Sequence, residues 1–407
     1  MRKINIIGAG QSGLQLGIGL LKSGFDVTIY SDRTPDQICN GTVMSTQCMF
    51  DSALQTERDL NLNLWDNQAP ALEGVMLSIA GPDGQRALSW SAELDYPAQS
   101  VDQRVKFPAW MRLFEALGGK LIIKAVEVAD LEAMDGDLTI VAAGKGAIGQ
   151  LFTRDDSRSP YNTPQRVLAL SCITGLKPTE NLNAVAFSII PGQGEVFIMN
   201  GLTSSGPCHF MIIEAIPGSE LDRWSDITTP EAHFARSIEL LEQFLPWEAE
   251  RFADARLSDA NATLRGRLTP TVKFPVATLP SGKQVLGMAD MVVLNDPITG
   301  QGSNNAAKCA ASYLESILNH GDKPFDQAWM QATFDAYWDY AQWVTGWTNA
   351  MLMPPPPHVQ QILGAAASIP EVAHRFTNAF NDPREFFPWL AVPEEAEKML
   401  ASYAEPA

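Results

Sequence analysis

The chain has little of what announces a metal or a disulfide. Its five cysteines (Cys39, Cys48, Cys172, Cys208, Cys309) are scattered with no C-x-x-C, a pattern of reduced thiols and neither a disulfide frame nor a zinc site. The five histidines (His209, His233, His320, His358, His374) show no H-x-x-x-H pairing, so no metal is expected. Positive charge is scarce: 29 Lys and Arg stand against 47 Asp and Glu, a formal net charge of −18. Nucleic acid and anionic membranes both want clustered Lys and Arg, so neither is expected as a partner. No apolar run reaches the roughly 18 residues of a bilayer span, and no internal repeat is visible. A cleaved leader over positions 1–20 would discard the glycine motif described next, which points to a cytoplasmic protein. The length of 407 residues leaves room for about two or three domains.

What the sequence does carry is a compact unit at positions 1–33. Arg2–Ile7 patterns as a strand, Gly8-Ala-Gly10-Gln11-Ser12-Gly13 breaks it, Leu14–Lys22 reads as a helix closed by Ser23-Gly24, and Val27–Tyr30 is a second strand. This is a βαβ unit with G-x-G-x-x-G at the first turn. Gly8 allows the tight turn, Gly10 lets a pyrophosphate approach, and Gly13 lets helix and strand pack closely. The helix N-terminus offers N–H groups and a positive dipole end to phosphate.

Beyond it, Thr34-Pro35-Asp36 reads as a turn, Asp51–Leu60 as a helix, and Val75–Ile79 with Leu88–Trp90 as a hairpin turning at Gly81–Gly84. A helix over Pro108–Leu117 and strands over Leu121–Val128 and Asp137–Gly144 follow. From about 160 to 275 the pattern changes to Gly- and Pro-separated strands with one helix, Thr229–Phe244, as expected of a substrate-covering insertion. After Val285–Asp290, a long helix spans Gly302–Asn319, and helical texture runs from Phe325 to the end, interrupted by the connector Pro354–Pro357.

A second glycine turn decides which dinucleotide is expected. Asp290 can accept hydrogen bonds from ribityl hydroxyls. Pro297-Ile-Thr-Gly300-Gln-Gly302-Ser303-Asn304 is slim enough to lie against a flat ring, and the N–H groups opening its helix can stabilise negative charge on a reduced flavin.

These two turns resemble the two-part FAD signature of the single-domain flavoprotein monooxygenases. With Thr28-Ile-Tyr-Ser31-Asp32-Arg33, Ser159–Arg166 and Asn295–Asn304, the match is closer to the oxygenase component of styrene and indole monooxygenases. That resemblance implies an α/β chain with a Rossmann-like FAD-binding domain of the glutathione-reductase and aromatic-hydroxylase type. The expected domains are 1–160 with 276–345 for FAD, including a β-hairpin excursion near 75–100; 161–275 as an inserted β-sheet substrate domain; and 346–407 as a C-terminal helical region. It also implies FAD used as FADH2, O2 as co-substrate, a small aromatic substrate, a separate NADH-dependent flavin reductase and a homodimer. The chemistry would be epoxidation through a flavin C4a-hydroperoxide, with no side chain assigned as catalytic.

The departures from that family are specific. Many relatives end the second strand with Glu to hold the adenosine ribose; here Ser31-Asp32 stands in its place, which predicts looser FAD binding. The usual Gly-Asp of the ribityl motif is Ala289-Asp290. Ala143-Gly144 replaces the Asp-Gly of hydroxylases reducible by NADPH, and Arg104 matches a position facing the FAD phosphates. In the active-site loop, Ser45-Thr46-Gln47-Cys48-Met49 resembles the indole branch (Ser, Gln, Met at alternating positions), as do Leu72, Val75 and Ala98. Gln47 could pair with an indole N–H while Ser45 and Met49 leave an adaptable slot beside Pro297. The alternatives are a styrene monooxygenase with indole as a side substrate, or a non-catalytic flavin-binding sensor. A flavin halogenase would need a lysine motif that the chain does not display.

Overall fold

Ile4, Ile6 and Ile7 are buried along Lys3–Ile7, and a strand apolar on both faces belongs inside a helix-covered parallel sheet. The computed structural model, which describes residues 1–82, 84–143, 146–179 and 182–404, places it so. Lys3–Ile7 runs parallel to Asp26–Ser31 on one side and Leu138–Val141 on the other. Lys120–Ile123 extends the sheet beyond the former, and Gln284–Gly287 then Val276–Thr278 extend it beyond the latter. The helix Gln11–Lys22 packs on this sheet, with Gly17 against Ile29 and Gly19 against Leu314 of the helix Gly302–His320.

The second layer is an eight-stranded sheet. Val167–Thr174, Gly206–Ala215, Gly194–Thr203 and Ala184–Ile190 are antiparallel neighbours in that order. The alternation of side chains along them splits the sheet: Val196, Ile198, Met211 and Ile213 face the helix Pro230–Phe244, leaving Phe197, Met199 and Ile212 on the other face.

Three boundary expectations need correction. The hairpin Ala71–Ala80 with Arg86–Gln99 is not an excursion of the cofactor domain; Ala71–Ala80 pairs in parallel with Ala184–Ile190 and completes the large sheet. The 345/346 boundary falls inside one continuous helix, Gln327–Met351. Thr34 begins a helix, Pro35–Cys39, because its side chain and that of Gln37 form a reciprocal cap. The hairpin closes with the Gly81 amide donating to the Gln85 carbonyl at 2.8 Å. Gly144, named in the NADPH argument, lies outside the described residues, as does Asp83 of the hairpin turn.

The chain after residue 351 folds over that hairpin. Asn378, ending the helix Pro370–Asn378, donates to the Glu93 carbonyl at 3.1 Å and accepts from the Asp95 amide at 2.8 Å. Phe376, Phe380, Phe386 and Trp347 form an aromatic cluster beneath. Among the described residues no helix is long and apolar enough to cross a membrane.

Candidate active site

At the first turn each glycine has its own reason. A Cβ on Gly8 (φ +114°) would sit 2.6 Å from the Ala143 Cβ, and one on Gly13 would sit 2.0 Å from the Gly8 carbonyl oxygen. A Cβ on Gly10 would meet nothing within 4 Å: that face opens into a cavity of about 410 Å³, which Gly10, Gln11 and Ser12 help line. Gly10 caps the helix with no side chain, leaving the first-turn N–H groups without a side-chain partner, as anion binding requires.

The second turn lines the same cavity. The Asp296 carboxylate accepts from the Ile298 amide at 3.2 Å and starts the 3-10 turn Pro297–Thr299. Gly300 then takes φ +65°, and a Cβ on Gly302 would meet nothing within 4 Å. Pro297, Thr299, Gly300, Gly302 and Ser303 face the cavity. Asp290 faces it too: enclosed by the fold but open to the cavity, its carboxyl is pushed up to about 6 by burial. The residue before it, Ala289, holds φ +51°, a left-handed conformation costing a non-glycine residue about 1–2 kcal/mol. A glycine, which the resemblance leads one to expect at this place, would hold that conformation without the cost. The two open glycine faces and the cavity-facing carboxylate fit a diphosphate, a flat ring and a polyol chain between them.

The loop between Gly41 and Phe50 forms another wall, with an orientation the alternating reading did not foresee. Ser45, Thr46 and Cys48 face the cavity, whereas Gln47 and Met49 turn away. Met49 pairs its backbone with Gln99 (2.8 and 2.9 Å) and packs with Ala53, Leu54 and Ala307. Gln47 is drawn into a buried polar network. Its amide donates to Gln11 Oε1 at 3.4 Å and its carbonyl accepts from Lys106 at 3.3 Å. Lys106 in turn lies 2.5 Å from Glu57, both side chains nearly inaccessible, and Gln11 donates to the same Glu57 oxygen at 2.8 Å. Burial pulls the Lys106 ammonium below the ordinary lysine range, and Glu57 opposes this. Burial also pushes the Cys48 thiol up to about 12, so it contributes a neutral surface.

Of the remaining expected residues, Val75 lines the cavity, while Leu72 and Ala98 pair across the hairpin and are buried in the core beside it. Asn304 stands behind the wall, bracing it. Ser31 bonds to the Arg33 backbone, Asp32 is exposed, and the Arg33 guanidinium meets the Met44 sulfur at 3.2 Å, beside the wall rather than in it. Arg104 is not brought to the cavity. Its guanidinium is taken by Asp102 (2.7 and 2.9 Å) and Asp259 (3.0 Å), because a cation this deeply buried needs carboxylate partners.

Sequence reasoning missed the wall supplied by the large sheet: Phe187, Phe197, Met199, Ile212 and Glu214, with Phe380 from the C-terminal region. Phe187 and Phe197 stack at 4.6 Å. One signal was available, a single acid at the end of the apolar run Phe210-Met-Ile-Ile-Glu214. Among the described residues no three His, Cys, Asp or Glu side chains gather as metal ligands.

Residues 144–251 match the family model described as "Styrene monooxygenase A putative substrate binding domain". Styrene monooxygenase StyA of a Pseudomonas species is 31% identical over 415 residues, covering 99% of this chain and 98% of the relative. StyA of Pseudomonas fluorescens is 31% identical over 416 residues with the same coverage. Among solved structures, the flavin-dependent brominase Bmp2 superposes with a TM-score of 0.69 at 13% identity, covering 99% of both chains; a likeness that distant speaks for the fold alone.

Proposed function

The chain belongs to the styrene monooxygenase family, and from that premise we propose that it epoxidises indole, and styrene-like aryl alkenes beside it, using reduced FAD from a separate NADH-dependent flavin reductase. FAD is its cofactor and O2 its co-substrate. Bound and reduced, FAD supplies the oxygen activation, so the chain's own residues have to bind, orient and exclude water. Gly10 and the first turn of its helix would hold the diphosphate, Asp290 the ribityl hydroxyls, and the turn from Pro297 to Gly302 the ring.

The observation that carries the reading is the continuity of one cavity. Its glycine-lined end suits the cofactor, and its other end is apolar and aromatic: Phe187, Phe197 and Met199 from the sheet, Phe50 and Phe380 across from them. An uncharged bicyclic ring fits such a wall, and a dry wall protects a reactive oxygen donor from water. The preference for indole draws on the likeness of residues 45–49 to the indole branch, from which Ser45 stands in the wall.

Purified protein given chemically reduced FAD and air should consume indole, and cells expressing it should turn blue with indigo. Absence of both pigment and indole consumption would sink the proposal. The names of the relatives and the largely apolar wall favour a second reading, styrene as the better substrate; the ratio of kcat/KM for the two decides. A flavin-binding sensor would take up FAD without oxygen-dependent product.

A further inference from the structure

Glu214 is 1% exposed, lies in the cavity wall, and among the described residues its Oε2 has no hydrogen-bond partner. Its cross-strand neighbour Glu195 is in a different condition, held by the Arg166 guanidinium at 2.7 and 2.9 Å. A buried polar group without a partner is rare, because it forfeits its hydration and gains nothing in return. Here the residue belongs to a wall whose same-face neighbours are Ile212 and Phe197. We propose that Glu214 recognises a ring N–H of the substrate, accepting it as a hydrogen bond and so favouring indole-type substrates over purely hydrocarbon aryl alkenes. This rests on the reading of the reaction given above.

The charge around Glu214 supports the role. The charged groups that act on it are Asp296 and Glu195, both carboxylates, and Arg166, whose guanidinium is already committed to Glu195. Burial, with Asp296 and Glu195 behind it, holds the Glu214 carboxyl well above the ordinary range. That burden falls on the charged form of the carboxyl and favours the protonated, uncharged one. A carboxylate would keep water in the pocket, whereas a neutral acid offers a carbonyl acceptor while leaving the pocket dry. Gln47, the acceptor suggested by the sequence, is bonded to Gln11 and Lys106 behind the wall, whereas Glu214 lines the cavity together with Ile212 and Phe197.

The test compares indole with indene, which has the same two rings and reactive double bond but CH2 in place of N–H. In FAD-loaded protein, Glu214→Leu should weaken indole about tenfold, in both the dissociation constant and KM, as loss of one neutral hydrogen bond does. Indene should be unchanged or tighter. Glu214→Gln, which keeps a neutral carbonyl, should retain the indole preference. An indole-to-indene ratio unmoved by Glu214→Leu, or one lost equally in Glu214→Gln, overturns the proposal. Thermal unfolding and FAD affinity of each variant separate recognition from folding. If the wild-type protein oxidises neither compound, the reaction assigned above fails, and the ratio of the two dissociation constants still decides the role of Glu214.

Discussion

Asn304 holds Cys48 from 256 positions further along the chain: its side-chain amide donates to the Cys48 carbonyl at 2.7 Å. The same side chain accepts from the Phe50 amide at 2.8 Å and donates to the Gly300 carbonyl at 3.0 Å. One buried amide thereby ties the Gly41–Phe50 loop to the Pro297–Gly302 turn across the cavity wall.

Replacing Asn304 with Leu strands two buried backbone groups of that loop. The expected cost is about 1–3 kcal/mol of stability, read as a lower unfolding midpoint. A loosened wall should also admit water, so the fraction of consumed O2 that appears as H2O2 should rise. A variant with wild-type stability and wild-type coupling would show that the clamp is dispensable.

The glycines separate cofactor binding from folding. Gly10→Ala adds a methyl that touches no protein atom within 4 Å, so the melting temperature of the apo-protein should stay near wild type. If the diphosphate lies there, FAD affinity should fall at least tenfold. Gly13→Ala drives a Cβ to 2.0 Å from the Gly8 carbonyl and should unfold or strongly destabilise the chain itself. Unchanged flavin titration in Gly10→Ala would remove the diphosphate from this turn.

Asp290 predicts a pH dependence of binding. Its carboxyl, raised to about 6 by burial, is ionised above that pH; holding the ribityl hydroxyls as proposed, it would make FAD binding favour the deprotonated form and release a proton below about pH 6. Affinity should be level above pH 7 and drop below 6, approaching about tenfold per pH unit. The sign for folding is opposite: a raised carboxyl binds its proton more tightly in the folded chain, so Asp290 makes the apo-protein less stable as pH rises from the unfolded-state value toward and past 6. Asp290→Asn should flatten both dependences. Isothermal titration from pH 5 to 8 and pH-dependent melting measure them.

Lys106 and Glu57 form an ion pair with side-chain exposures of 1% and 0%. Lys106→Met leaves Glu57 buried and without its cation, costing about 3–5 kcal/mol, and disturbs Gln11 at the first glycine turn. The double variant Lys106→Met with Glu57→Leu should recover more than half of that loss, since an apolar pair avoids desolvation altogether. Denaturant unfolding of the two single variants and the double variant gives the coupling. Simple additivity would mean the pair is not a unit.

Much of the fold was legible because local chemistry carried it. A turn whose glycines are required by contacts with Ala143 and with Gly8 itself leaves a fixed spacing in the chain, and so does the Pro297–Gly302 turn. The strands from Val167 to Ala215 were legible as β-rich runs separated by Gly and Pro turns. The site was legible only where backbone approaches the ligand. Ser45, Val75, Pro297 and Asp290 reach the wall; Gln47, Met49, Leu72, Ala98 and Arg104 do not. For Gln47 and Arg104 the reason is the same: a buried polar or charged side chain turns toward its partners, and Lys106, Asp102 and Asp259 lie behind the wall.

By itself, then, the sequence determined two glycine turns, the sheet that carries them and the family to which the chain belongs, because each is written in neighbouring residues. Tertiary structure alone decided that the hairpin at 71–99 joins the large sheet, that Cys48 faces the cavity in place of Met49, and that the Glu214 Oε2 finds no hydrogen-bond partner among the described residues. Those outcomes depend on pairings between strands and side chains far beyond their own segments, from Glu195 beside Glu214 to Asn304 beneath Cys48, and no local pattern encodes which buried acid will find a cation and which will not.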